Sequence, residues 1–130
     1  MSDEPKLEGE ILVTVEHKIP LERVKDLLTC ATEGGIGYWA LITSYRGDRT
    51  GVTYPHIDMP FKEGGAILIQ DEEDDTAPIS VLDMEAIQRG LHIMADKYPH
   101  HMSAFLDDNE DASTGDVFVQ CALFGTIVYA

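Results

Sequence analysis

Three glycines followed by two large aromatic residues constrain the fold of this chain more than any other feature. The glycines are Gly34, Gly35 and Gly37; Tyr38 and Trp39 follow directly, and Trp39 is the only tryptophan. Glycine permits sharp turns and close backbone approaches that a β-carbon forbids. We therefore expect this stretch to end a helix, with Gly34 as its left-handed cap, and to bring aromatic surface to one place.

Three segments have the apolar periodicity of amphipathic helices. Proline suits the first turn of a helix, glycine suits its end, and Ser or Asp suits the cap before its first turn. These signals set the expected bounds. The predicted helices run from Pro20 to about Glu33, from Ser80 or Asp83 to Pro99, and from Ser113 or Thr114 to Gly125.

Apolar runs between and before these helices predict strands. They cover residues 11–17, 38–46 and 66–70, and a short piece around 79–81. Residues 50–57 are expected to form an edge strand or irregular structure, because they contain a proline. The order and the hairpin-like links predict an α+β domain, with an antiparallel sheet of about four strands packed by about three helices.

The length of 130 residues suits one domain with a real core. We expect residues 1–9 to form a flexible N-terminus and residues 10–130 to form the single domain. The first residues are polar and acidic, unlike a signal peptide, and no apolar run approaches the length of a membrane span. Cys30 and Cys121 lie among apolar residues of predicted helices, which favours buried thiols over a disulfide. These features predict a cytoplasmic protein.

The charge of the chain restricts the partners that it can bind. It holds 24 acidic and 9 basic residues, a formal net charge of −15. That charge repels DNA, RNA and anionic lipid, so we expect no direct binding to nucleic acid or to a membrane. Two acidic clusters are candidate binding sites, the alternative being that they only solvate the surface. The candidate residues are Asp71, Glu72, Glu73, Asp74 and Asp75 in the first cluster, and Asp107, Asp108, Glu110 and Asp111 in the second.

No motif predicts catalysis, a metal or a cofactor. Residues 35–40 match a dinucleotide-binding pattern, but they follow a helix and precede a strand, the reverse of what phosphate binding requires. The spacing of the second acidic cluster resembles a calcium loop, yet Ala112 and Phe118 stand where that loop needs glycine and glutamate. His92 and Asp96 share a helix face without further ligands at metal-site spacing. We therefore predict a non-enzymatic protein.

Two stretches, Glu33–Trp39 and Asp116–Tyr129, together resemble a family of short uncharacterised proteins encoded by bacteriophages and prophages. Residues 64–71 and the pair Gly90-Leu91 match the same pattern. The resemblance covers most of the chain, although the family ends in glycine and this chain ends in Ala130. It implies a phage or prophage origin and an accessory role in the cytoplasm of an infected bacterium, and it carries no catalytic residues.

Three functional hypotheses follow. The leading one is an acidic inhibitor that binds a bacterial defence or regulatory protein by imitating nucleic acid. The second is a sponge for a nucleotide signal, in which Tyr38 or Trp39 stacks on a base and the backbone of residues 34–37 approaches phosphate. The third is an assembly protein that acts as a homo-oligomer through the apolar tail of residues 124–129. For the two aromatic residues, the alternative to a binding surface is burial in the core.

Overall fold

A computed structural model describes residues 9–130, and it combines helices with one small sheet. The predicted flexible terminus, residues 1–9, therefore falls almost entirely outside the described residues. The helices are α1 (Leu21–Cys30), α2 (Pro55–Asp58), α3 (Met84–Lys97), α4 (Pro99–Leu106) and α5 (Ala112–Phe124), and the strands are β1 (Ala40–Arg46), β2 (Ala66–Asp71) and β3 (Ser80–Leu82).

The sheet is antiparallel with the order β1-β2-β3, which confirms the α+β class. Within the described residues it has three strands where about four were predicted. The difference is residues 11–17, which form no ladder, so the prediction of a strand there is wrong. Their β-branched sequence suits a strand, but a strand also needs a neighbour with which to pair.

Proline explains why residues 9–130 contain five helices where about three were predicted. Pro55 occupies the first turn of α2, in the segment expected to be an edge strand or irregular. Pro99 ends α3 and at the same time begins α4, which the sequence left undefined. The fixed φ angle of proline is compatible with the first helical turn, where its missing N–H costs no hydrogen bond.

Aspartates cap the two long helices at their N-termini. The Asp83 carboxylate accepts a hydrogen bond from the Ala86 N–H, and the Asp111 carboxylate accepts one from the Thr114 N–H, each at 2.9 Å. Of the two residues predicted to start α3, Ser80 and Asp83, Asp83 is the cap. Helix α5 begins at Ala112, slightly earlier than predicted. At the end of α5, Gly125 takes the left-handed conformation with φ 77°, which confirms the predicted stop.

Helix α5 is the centre of the fold. Every residue from Thr114 to Ala122 is buried, and α5 packs against α1, α3, α4 and β3. The sequence predicted one apolar face, whereas the whole circumference of the helix is covered. A helix that is apolar on nearly all sides belongs in the interior, because no face of it benefits from water.

Both cysteines are free thiols in helices, as predicted, but their burial differs. Cys121 lies on α5 and is fully buried, whereas Cys30 at the end of α1 is partly exposed. Burial raises the pKa of the Cys121 thiol to about 11, so it stays protonated at neutral pH.

Within residues 9–130, no helix is long and apolar enough to cross a membrane.

Two glycines allow α5 to lie directly against the turn that follows α1. A β-carbon on Gly35 would stand 2.5 Å from the carbonyl oxygen of Ala112, and one on Gly115 would stand 2.4 Å from the backbone nitrogen of Ala31. Such distances are far inside van der Waals contact. These positions therefore require glycine for close approach of two backbones rather than for turn conformation.

The predicted left-handed cap at Gly34 is wrong. Its φ is 167°, in the extended range, and α1 is followed by a kink at Glu33 and Gly34, where the Ile36 N–H donates to the Ala31 carbonyl at 2.9 Å. A β-carbon on Gly34 would meet only the Ala112 side chain, at 3.9 Å. The residue of this stretch at which a β-carbon does not fit is therefore Gly35, one residue further along.

Gly35→Ala should destabilise the protein by about 1–3 kcal/mol, because the added methyl group overlaps the α5 backbone, which cannot move without disturbing the core. Gly34→Ala is the matched control and should stay within about 0.5 kcal/mol of the parent. Urea unfolding of the two variants measures both values. Equal stability of the two variants would contradict the close approach at Gly35.

Candidate functional site

The glycine-rich stretch Glu33–Trp39 and helix α5 meet at the carboxylate of Asp116. The Trp39 Nε1–H donates to Asp116 Oδ1 at 2.8 Å, and the Tyr38 hydroxyl donates to Asp116 Oδ2 at 2.6 Å. One turn further along α5, Gln120 Nε2 donates to Asp116 Oδ1 at 2.9 Å. The buried carboxylate therefore has three hydrogen-bond donors, which offset the cost of removing it from water.

Gln120 extends this network to the C-terminal tail. Its Oε1 accepts the backbone N–H groups of Val128 at 2.7 Å and Tyr129 at 2.8 Å. Its Nε2 also donates to the Tyr129 carbonyl at 3.0 Å. In the third hypothesis this tail contacts a neighbouring molecule. In the structure, Val128 and Tyr129 of the tail are bound to this chain's own central helix.

The Trp39 ring belongs to the core. It is fully buried and lies 5.3 Å from the Phe124 ring and 5.5 Å, nearly parallel, from the Tyr129 ring. Tyr38 donates to the same Asp116 carboxylate but is 49% exposed. A nucleotide base would therefore have access to Tyr38 alone, and the sponge hypothesis loses Trp39 as a stacking platform.

A shallow cleft adjoins this network. It is lined by Gly34, Gly35, Tyr38, Ala112, Ser113, Asp116 and Ala130 and has a volume of about 400 Å³. Gly37 lies outside it on the surface, with no atom within 4 Å of where its β-carbon would stand. The charged group of the cleft is Asp116, whose two oxygens already accept hydrogen bonds from the protein. The cleft thus offers little polar chemistry to a ligand.

The first acidic cluster divides into a buried residue and an exposed loop. Asp71 is buried at the end of β2, where it accepts hydrogen bonds from the Tyr129 hydroxyl at 2.5 Å and from the Glu73 N–H at 2.9 Å. Asp74 accepts from the Thr76 N–H and hydroxyl, which lower its pKa. We call the exposed residues Glu72–Asp75 the acidic loop; these side-chain contacts hold its backbone in place.

The second acidic cluster is largely used by the fold. Arg23 contacts Glu110 at 2.6 Å and Asp108 at 3.1 Å, and Asp111 is the cap of α5. The Glu110 side chain is buried, while Asp107 is exposed at the end of α4. This cluster therefore presents less free negative charge than its sequence indicates.

Two tyrosine hydroxyls are held as neutral donors by neighbouring carboxylates. Burial, together with the hydrogen bond to Asp116 and its charge, raises the pKa of Tyr38 to about 12. The hydrogen bond to Asp71 is the main cause that raises the pKa of Tyr129 to about 12. Ionisation of either phenol would place two negative charges side by side.

The sequence interpretation missed Asp116 and Gln120. Neither residue was among the candidate site residues. The available signal was the spacing i, i+4, which places two polar residues on one side of an otherwise apolar helix. Polar residues in a buried helix need partners, and the indole and phenol of the glycine-rich stretch are suitable donors.

Among residues 9–130, no group of three or more His, Cys, Asp or Glu side chains is arranged to hold a metal ion. Comparison of the chain with protein-family models, with curated proteins and with solved structures finds no match. The function is therefore inferred from the chemistry of the residues described above.

Asp116→Ala should destabilise the protein by about 2–4 kcal/mol, because it leaves the Trp39 N–H buried without an acceptor and removes one acceptor of the Gln120 amide. Ser113→Ala, at an exposed position of the same cleft, should have little effect and serves as the control. Urea unfolding followed by Trp39 fluorescence reports both. A loss for Asp116→Ala no larger than for the control would mean that the network is not stabilising.

The protein should lose stability as the pH rises from about 10 towards 12. Tyr38 and Tyr129 have pKa values of about 12 in the fold, above the ordinary tyrosine value of 10.0. The two phenols contribute fully to the free energy of unfolding below the unfolded-state tyrosine pKa. This contribution disappears as the pH rises through the folded-state pKa. Urea midpoints at about pH 8 and about pH 11 measure the loss. The double variant Tyr38→Phe/Tyr129→Phe should lose less between these pH values; an equal loss would contradict the assignment.

Proposed function

We propose that this is a non-enzymatic protein that binds a basic surface of a bacterial protein through its acidic loop, Glu72–Asp75. The observation that supports this proposal is the exposure of all four carboxylates on a loop held by side-chain hydrogen bonds. No basic side chain among the described residues forms an ion pair with them. Their charge is therefore available to a partner.

A fixed array of carboxylates is suited to a groove that normally holds nucleic acid. Because hydrogen bonds at Asp71 and Asp74 already order the loop, a partner needs to immobilise less of it on binding. The net charge of −15 adds long-range attraction to a basic surface and so speeds association. These features favour protein binding by nucleic-acid imitation.

The acidic loop is favoured over the second acidic cluster for a reason of charge. In the second cluster Arg23 neutralises part of the charge and Glu110 is buried. A partner would have to compete with Arg23 for Asp108. We therefore assign the contact with the basic partner surface to Glu72–Asp75 and assign a structural role to the second cluster.

The resemblance to phage and prophage proteins supports a bacterial partner, and we include in the proposal a role as an inhibitor of a host defence or regulatory protein in the host cytoplasm. A polyanion mimic is useful there because many such proteins bind DNA or RNA through basic grooves. The third hypothesis, a homo-oligomer through residues 124–129, is less favoured, because Gln120 holds Val128 and Tyr129 within the same chain.

The variant Glu72→Gln/Glu73→Gln/Asp75→Asn tests the assignment while it keeps Asp71 and Asp74, which hold the loop. We expect it to bind the bacterial partner about tenfold or more weakly, since three charges are lost from the contact. The control Glu63→Gln/Glu85→Gln/Asp96→Asn removes the same charge from exposed positions on other elements and should bind nearly like the parent.

Partners are captured from a bacterial lysate on the immobilised parent, loop variant and control variant, and identified by mass spectrometry. The affinity of the purified partner is then measured as the salt concentration rises. Binding that weakens with salt, and that the loop variant alone loses, supports the proposal. Equal retention by all three proteins, or affinity independent of salt, would overturn it.

A further inference from the structure

The segment of residues 11–17, which we call the unpaired segment, exposes an unusual amount of apolar surface. Ile11, Leu12, Val13 and Val15 are 66–94% exposed. The segment makes no backbone hydrogen bond with any described residue. Contiguous exposed side chains of this size are rare in a monomer and mark a surface that another molecule covers.

The described part of the same molecule, residues 9–130, leaves this segment largely exposed. Residues 14–19 pass over α3 and α4, and a cavity of about 460 Å³ lies between them. Its wall includes Leu91 and Ala95 of α3 and Met102 of α4. The sequence of the segment suits a strand, yet residues 9–130 of its own chain offer neither a ladder nor close packing.

Strand β1 provides an edge that matches the segment. It pairs only with β2 among the described strands, so its other side has backbone groups open to a further strand. Strand β1 spans Ala40–Arg46, and residues 11–17 are enough to pair along its length. The Leu41 side chain on β1 is 51% exposed and would gain apolar contact.

Charge also matches the two elements. From Gly34 to Gly47 the chain contains no acidic residue, and Arg46 lies at the end of β1. The unpaired segment has Glu10 just before it and Glu16 near its end. A carboxylate therefore comes near Arg46 in either a parallel or an antiparallel orientation. On a chain with a net charge of −15, an edge without carboxylates is where a second copy meets the least repulsion.

We propose that two copies of this chain form a dimer by reciprocal strand addition, in which the unpaired segment of each copy pairs with the β1 edge of the other. Main-chain hydrogen bonds supply the contact, as in other strand-addition complexes. Because the exchange is reciprocal, the assembly closes with two-fold symmetry and does not extend into a fibre. This inference does not depend on the acidic loop.

Light scattering of the full chain tests the dimer. We expect a mass twice 14.4 kDa, with tighter association as salt screens the net charge. Val13→Lys places a charge in the paired segment and should raise the dissociation constant about tenfold or more. Leu21→Lys makes the same charge change at an exposed position outside it and should leave the dimer intact. A monomeric parent, or a dimer insensitive to Val13→Lys, would overturn the proposal.

Disulfide cross-linking tests which strands pair. Thr14 lies in the middle of the unpaired segment and Thr43 in the middle of β1, so pairing along the whole of β1 brings them near each other in either orientation. Oxidised Thr14→Cys/Thr43→Cys should form a covalent dimer, since paired strands bring the two cysteines within bonding distance. The parent, with Cys30 and Cys121 alone, should not. A disulfide within one chain, or no disulfide at all, would contradict strand addition between copies.

Discussion

The hydrogen bond from the Trp39 indole to the Asp116 carboxylate is the contact on which the rest of the structure depends. It joins the start of the sheet to a helix that is buried on every side. A carboxylate in such a place is costly unless donors surround it. Trp39, Tyr38 and Gln120 supply those donors, and in doing so they fix how α5 is rotated relative to β1. Gly35 and Gly115 then allow the backbones to approach closely enough for these bonds to form.

The same network continues to the surface. Gln120 holds the backbone of Tyr129, and the Tyr129 hydroxyl donates to Asp71, the residue before the acidic loop. The interior thus positions the carboxylates that we propose as the binding surface. Basic side chains are scarce, and Arg23 and Lys25 are engaged in ion pairs with acidic neighbours. Among residues 9–130, no basic side chain forms an ion pair with the loop, and hydrogen bonds connect the core to the contact surface that we propose.

Local patterns predicted much of this fold. The apolar periodicity of α1, the apolar run of β2 and the stop of α5 at Gly125 all depend on short-range chemistry that the sequence displays. Burial of α5 on all sides could not be predicted in this way, because it depends on elements distant in the chain. For the same reason the sequence predicted a left-handed cap at Gly34 and did not reveal the close approach of α5 at Gly35. The predicted strand at residues 11–17 lacks a partner within the described chain, which local propensity cannot reveal.

A double-mutant cycle between Trp39→Phe and Asp116→Ala tests the central claim most directly. Trp39→Phe keeps an aromatic ring in the core and removes the N–H donor, while Asp116→Ala removes its acceptor. If the two side chains stabilise the fold through their hydrogen bond, urea unfolding should give a coupling free energy of about 1 kcal/mol or more. Losses that add within about 0.3–0.5 kcal/mol would show that the two residues act independently, and would contradict the account.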